Sequence, residues 1–177
     1  YVRFPTGNRA EIQSEYHGPE GEVPTKIEAI NRFLLEARMK IQDERGIPLG
    51  ADIFGIVMTS KLDGELIGQD WESLGRLGLD SLSPMIYPSH YARGTIMNGI
   101  KFDNPDADTF SFLDAVFKQE KFSKEPGFSA LRPYIQAYSY TQAQIFGQID
   151  ALAANGINEY YYWNPGAVYS LDNLKKN

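Results

Sequence analysis

Cysteine is absent from the 177 residues, which excludes disulfides, thiolate nucleophiles and thiolate-bound zinc. Its absence leaves the cellular compartment open. Basic clusters are missing too, with 17 Lys and Arg against 23 Asp and Glu for a formal net charge of -6. A nucleic-acid or anionic-membrane partner needs a basic stripe, so neither is expected. No apolar run approaches the ~20 residues of a membrane-spanning helix. Histidine occurs only at His17 and His90, too few and too far apart for a zinc triad, which leaves only an oxygen-ligated Ca2+ or Mg2+ open. No cofactor is expected.

What remains is an ordinary globular composition, 42% hydrophobic and 23% charged, long enough to bury a core as one domain over residues 1–177. The chain opens without Met or a leader-like segment. Tyr1-Val2-Arg3-Phe4-Pro5 reads as the tail of a strand entering a Pro-terminated loop, so a fragment is expected. Residues 6–24 read as a long loop. Thr25 and Glu28 have capping-box spacing, and Ile27, Ile30, Leu34, Ala37 and Ile41 follow on one helical face up to Arg45-Gly46. A strand is expected over Ile47–Phe54. A loop through Lys61-Leu62-Asp63-Gly64 then leads to a short helix capped by Asp70.

Asp80 to Tyr91 (Asp-Ser-Leu-Ser-Pro-Met-Ile-Tyr-Pro-Ser-His-Tyr) reads as a buried strand with a polar, aromatic exit. A core segment has no need of such an exit, because each polar group must find a partner. Three other apolar runs end alike: Ala51-Asp52-Ile53-Phe54, Leu131 to Tyr138, and Tyr160-Tyr161-Tyr162-Trp163-Asn164. Between them, Asn104-Pro105-Asp106 is expected to open a helix with Phe110, Leu113 and Phe117 on one face. Thr141 and Gln144 cap another helix, with Ile145, Ile149 and Leu152 buried and Asn155-Gly156 as its end. Strand and helix alternate, which implies βα units and a parallel sheet. Polar tips converging on one rim suit the active face of an α/β barrel.

These strand ends carry a family resemblance. Tyr1-Val2-Arg3-Phe4-Pro5, Ala51-Asp52-Ile53-Phe54-Gly55, Ser83 to Tyr91, Arg132-Pro133-Tyr134-Ile135-Gln136 and Trp163-Asn164, with the Gln148-Ile149-Asp150-Ala151 helix, span nearly the whole chain in order. In these segments the chain resembles a TIM-barrel glycoside hydrolase family first catalogued as a domain of unknown function. The resemblance implies the C-terminal half of a (β/α)8 barrel, from the end of strand four to strand eight. It also implies an Asp just before Tyr1, a nucleophile outside this chain. An extracellular or cell-envelope location follows from that substrate class.

Glycoside hydrolysis uses two carboxyl groups, roughly 5–5.5 Å apart for retention or roughly 6.5–9.5 Å for inversion. Asp52, near the exit of an apolar strand, is the leading acid or base here, with a tie to Arg3 or a loop cap as the alternative. Arg3 would hold the preceding Asp ionised or bind an acidic sugar; a salt bridge at the core edge is its other reading. His90, flanked by Tyr87 and Tyr91, would bond hydroxyls or relay a proton, or else rest on backbone groups. Trp163 offers a flat platform and Asn164 both donates and accepts; the rival is a core plug and a turn before Pro165-Gly166. Gln136 and Tyr138 would orient substrate. Asp80, Asp70, Asp63 and Glu65 read as structural or solvated. Two other roles stay open, a non-catalytic carbohydrate-binding barrel and an assembly module. A half barrel exposes strand edges, so homo-oligomerisation or association with an N-terminal half is expected.

Overall fold

The computed structural model of this chain describes residues 2–7, 24–120, 122–170 and 172. Tyr1, His17 and most of the expected first loop lie outside the described residues. The chain divides into two compact units, Tyr1–Leu82 with Phe122–Ala130, and Ser83–Lys121 with Leu131–Asn177. It is a mixed α/β chain.

In the first unit, α1 spans Lys26–Arg38 and starts with the expected capping box. The Glu28 amide donates to the Thr25 hydroxyl at 3.2 Å, and the Thr25 amide to the Glu28 carboxylate at 2.7 Å. Ile30 and Leu34 are its buried residues, and a π-helical turn, Met39–Asp43, extends it. Strand β1 covers Gly50–Phe54, with Ala51 and Ile53 buried and Asp52 and Phe54 half-buried. It begins later than expected because Pro48 has no N–H to give a ladder. Beside it begins β2, Ser81–Met85. A bond from the Asp80 amide to the Leu49 carbonyl, 2.9 Å, sets that start.

The expected loop at Lys61 is instead a helix, α2, Lys61–Ile67, capped by Ser60 and closed by Gly68 at φ +76°. Asp63-Gly64 looks like a turn, yet Gly64 is there for space. A Cβ at that position would collide with the Gln69 carbonyl. Gln69 is buried, and its side-chain amide accepts from Phe54 N at 3.0 Å and donates to Val2 O at 2.7 Å. It ties β1 to the first described segment. Next comes α3, Trp71–Gly75, capped by Asp70 as expected, with the Ser73 amide 2.9 Å from its carboxylate. Trp71 packs on Phe128, ring centroids 5.1 Å apart.

In the second unit the end of β2 pairs in parallel with β6, Tyr134–Gln136, and β6 with β7, Tyr161–Trp163. Met85 is level with Tyr134, Tyr134 with Tyr161, and Gln136 with Trp163. The single strand expected over Leu131–Tyr138 is broken. Ala130–Leu131 forms the short β5, and pairing resumes after Pro133, which has no donor. A hairpin absent from the sequence reading joins β3, Thr95–Met97, to β4, Ile100–Phe102. Asn98 and Gly99 both take positive φ, 49° and 76°, as a tight hairpin turn demands.

Helix α4 spans Thr109–Gln119 and is capped by Asp108, so Asp106 does not open it. Leu113 and Phe117 are buried as expected, but Phe112 replaces Phe110, which is exposed. Helix α5, Gln142–Ala154, has the expected Thr141–Gln144 capping box and buries Ile145, Ile149 and Leu152. At Gly147 the two helices approach closely, since a Cβ there would lie 2.6 Å from the Thr109 hydroxyl. Gln148, 0% exposed, faces β6. Its amide accepts from Gln136 N and donates to Gln136 O, both at 2.9 Å.

Two stability measurements follow. Gly64→Ala is expected to lower the unfolding free energy by about 1–3 kcal/mol, through backbone displacement at Gln69. Urea titration should show an earlier midpoint with an unchanged slope. Gln148→Leu keeps the volume but leaves two buried backbone groups of Gln136 without partners, and should cost about 2–4 kcal/mol in the same assay.

Candidate functional site

Because β2, β6 and β7 are parallel and in register, the residues that follow them emerge on one edge of the second unit. Ligand sites of parallel α/β sheets form at such carboxyl ends. After β2 come Tyr87 and a 3-10 turn, Pro88–His90. After β6 come Tyr138 and Tyr140, and after β7 comes Asn164.

The side chains there form a hydrogen-bonded cluster. The Ser89 hydroxyl donates to Gln136 Oε1 at 2.9 Å, and Gln136 Nε2 donates to the Tyr138 carbonyl at 3.3 Å. Tyr138 Oη lies 3.1 Å from His90 Nε2. The Tyr87 ring meets His90 edge-on at 5.1 Å and Tyr138 at 6.0 Å. The Tyr140 hydroxyl donates to Asp106 Oδ1. Burial first, then the hydrogen bond and the negative charge of Asp106, hold the Tyr140 phenol well above its ordinary pKa. Tyr138 is also raised, by burial against the opposing Ser89 hydrogen bond, with Asp106 adding to the rise. Both phenols therefore stay protonated at neutral pH.

Of the residues anticipated here, Gln136 is 1% exposed, so it holds Ser89 and the Tyr138 backbone in place. Tyr87 is buried as well and forms the floor of the cluster. Asn164 is occupied by its turn, donating to Ala137 O at 3.2 Å and Val168 O at 2.8 Å and accepting from Gly166 N at 2.9 Å. Trp163 is 43% exposed and stands edge-on to Tyr134 at 6.3 Å, with the Tyr161 ring tilted against Tyr134 at 4.8 Å. These three rings form an accessible aromatic surface on β6 and β7. Tyr91 turns inward against Phe112, ring centroids 4.8 Å apart. Its enclosed hydroxyl has no partner among the described residues, and burial raises its pKa strongly.

Asp52 and Arg3 belong to the first unit. Asp52 is half-buried on β1 and borders an apolar cavity of about 240 Å3 lined by Ile30, Leu34, Ile53, Gln69 and Leu74. Arg3 donates to the Phe4 carbonyl at 3.2 Å and lies over the Phe54 ring at 5.3 Å. Among the described residues no group of three His, Asp or Glu side chains could hold a metal ion, and no helix is long and apolar enough to cross a membrane.

Sequence reasoning passed over Asp106, Tyr140 and the role of Ser89. Asn104-Pro105-Asp106 has the form of a helix opening, but the Asp108-to-Ser111 spacing marks the real cap, with Ser111 N 2.9 Å from Asp108 Oδ1. That spacing could have freed Asp106 for another role.

A family model described as "Putative glycosyl hydrolase domain" matches residues 1–169. Among solved structures, the PgaB (BpsB) glycoside hydrolase domain from Bordetella bronchiseptica is similar in fold, with a TM-score of 0.55 and 17% sequence identity. The match covers 78% of this chain and 37% of that one, so the chain spans well under half of that domain. No curated protein matches this chain. On the family match over residues 1–169, the chain belongs to this glycosyl hydrolase domain family.

Proposed function

We propose that this chain forms part of a glycoside hydrolase acting on an oligo- or polysaccharide, as the C-terminal half of a (β/α)8 barrel folded as one domain. The observation that carries the reading is the cluster of His90, Tyr138 and their neighbours after parallel strands, beside the exposed Trp163 and Tyr161 rings. Sugars present flat apolar faces ringed by hydroxyls, and aromatic faces with mixed donors and acceptors answer that pattern.

In this reading Asp52 supplies a carboxyl for acid or base catalysis, and a second carboxylate from outside this chain acts as nucleophile. Arg3 steadies that carboxylate. Trp163 carries a sugar ring, and His90 with Tyr138 bonds its hydroxyls. Tyr87, Gln136 and Asn164 hold these groups in position rather than reach the sugar. An extracellular or cell-envelope location suits such a substrate.

The test is cleavage of neutral, N-acetylated and uronic hexasaccharides (cellohexaose, chitohexaose, oligogalacturonate) by the full-length protein. Asp52→Asn should lower turnover by roughly 10^2- to 10^4-fold with the substrate KM little changed. Unchanged cleavage would remove Asp52 from the mechanism. Tight binding without cleavage by the unaltered protein would leave a carbohydrate-binding role instead.

A further inference from the structure

The reading above makes no use of Asp106 or Tyr140. Both sit on connections that follow strands of the second unit, Asp106 between β4 and α4 and Tyr140 between β6 and α5. The Asp106 backbone is fixed, because its carbonyl accepts from Gln144 Nε2 at 3.0 Å. Gln144 is itself pinned by the Thr141 cap and by Thr109, whose hydroxyl donates to the Gln144 carbonyl at 2.7 Å. Of the two carboxylate oxygens, Oδ1 receives the Tyr140 hydroxyl. Among the described residues no donor reaches Oδ2.

A half-buried carboxylate with one oxygen tied and the other open is a strong acceptor held in one orientation. Its surroundings match a sugar. The Tyr140 phenol, having given its one hydrogen to Asp106, can still accept. The shared hydrogen bond between Tyr138 and His90 adds a group able to donate or accept beside it. Vicinal hydroxyls each donate once and accept twice, so such an array can satisfy two neighbours together.

We propose that Asp106 is a substrate-contacting carboxylate of this rim, accepting a sugar hydroxyl on Oδ2 while Tyr140 fixes Oδ1. The inference rests on the reading that the rim binds glycan. Tyr140 is then a positioning residue, acting through Asp106.

Calorimetric binding by the full-length protein, with the tightest binder among cellohexaose, chitohexaose and oligogalacturonate, tests it. Asp106→Asn should weaken binding roughly ten- to a hundredfold, the range of one charge-assisted hydrogen bond. Tyr140→Phe, which keeps the charge but frees Oδ1, should lose less, up to about tenfold. Tyrosine labelled with 13C at Cζ supplies a readout independent of sugar. The resonance assigned by its loss in Tyr140→Phe should shift in Asp106→Asn, because the phenol loses its anionic acceptor. A protein that binds no hexasaccharide overturns both this inference and the glycan reading. Binding that survives Asp106→Asn at full strength overturns this inference alone, as does a Tyr140 resonance that does not move. Should Asp106→Asn fail to fold, equal affinity in Tyr140→Phe overturns it.

Discussion

One buried side-chain amide sets the edge of the second unit on which the candidate site stands. Gln148 presents an acceptor and a donor to the N–H and C=O of Gln136, as a neighbouring strand would. A strand of three residues makes few ladder bonds of its own, and an unpaired buried backbone group is costly. The helix therefore completes the strand at its last residue. From that residue the chain turns outward, and the Gln136 side chain goes on to hold Ser89 and the Tyr138 carbonyl. The position of His90 and Tyr138 thus depends on a contact made one layer below them.

The electrostatics of the cluster follow from that placement. Tyr138 and Tyr140 are partly removed from water and lie near the Asp106 charge, and both effects favour the neutral phenol. A phenol that stays protonated can bond hydroxyls but does not act as an anionic nucleophile.

Local sequence rules read many of the elements correctly. The capping boxes at Thr25 and Thr141 begin their helices, Asp70 caps α3, and Ile30, Leu34, Ile145, Ile149 and Leu152 are buried as their spacing implies. Where the reading failed, a competing local signal had won. Asp63-Gly64 mimics a turn, while Gly64 is needed for a helix that must clear the Gln69 carbonyl. Pro133 divides a continuous apolar run into two strands. Asn98-Gly99 has hairpin-turn chemistry, but the strands beside it are only three residues each, too short to show an alternating pattern.

The candidate site divides along the same line. Residues at the ends of β2, β6 and β7 could be found from sequence, because a strand exit rich in Tyr, Ser, His and Trp has no reason within a core. The pairing of Asp106 with Tyr140, 34 residues on, could not be found that way. Nor could the burial of Gln136, whereas the turn that occupies Asn164 before Pro165-Gly166 is one of the two readings its sequence allows. Periodicity and capping report on neighbours within a turn or two of the chain, and those decided the helices other than α2, the strands β1, β2, β6 and β7, and the polar strand ends. Which donor meets which acceptor across loops depends on how helices and strands pack, and only the tertiary structure decided that.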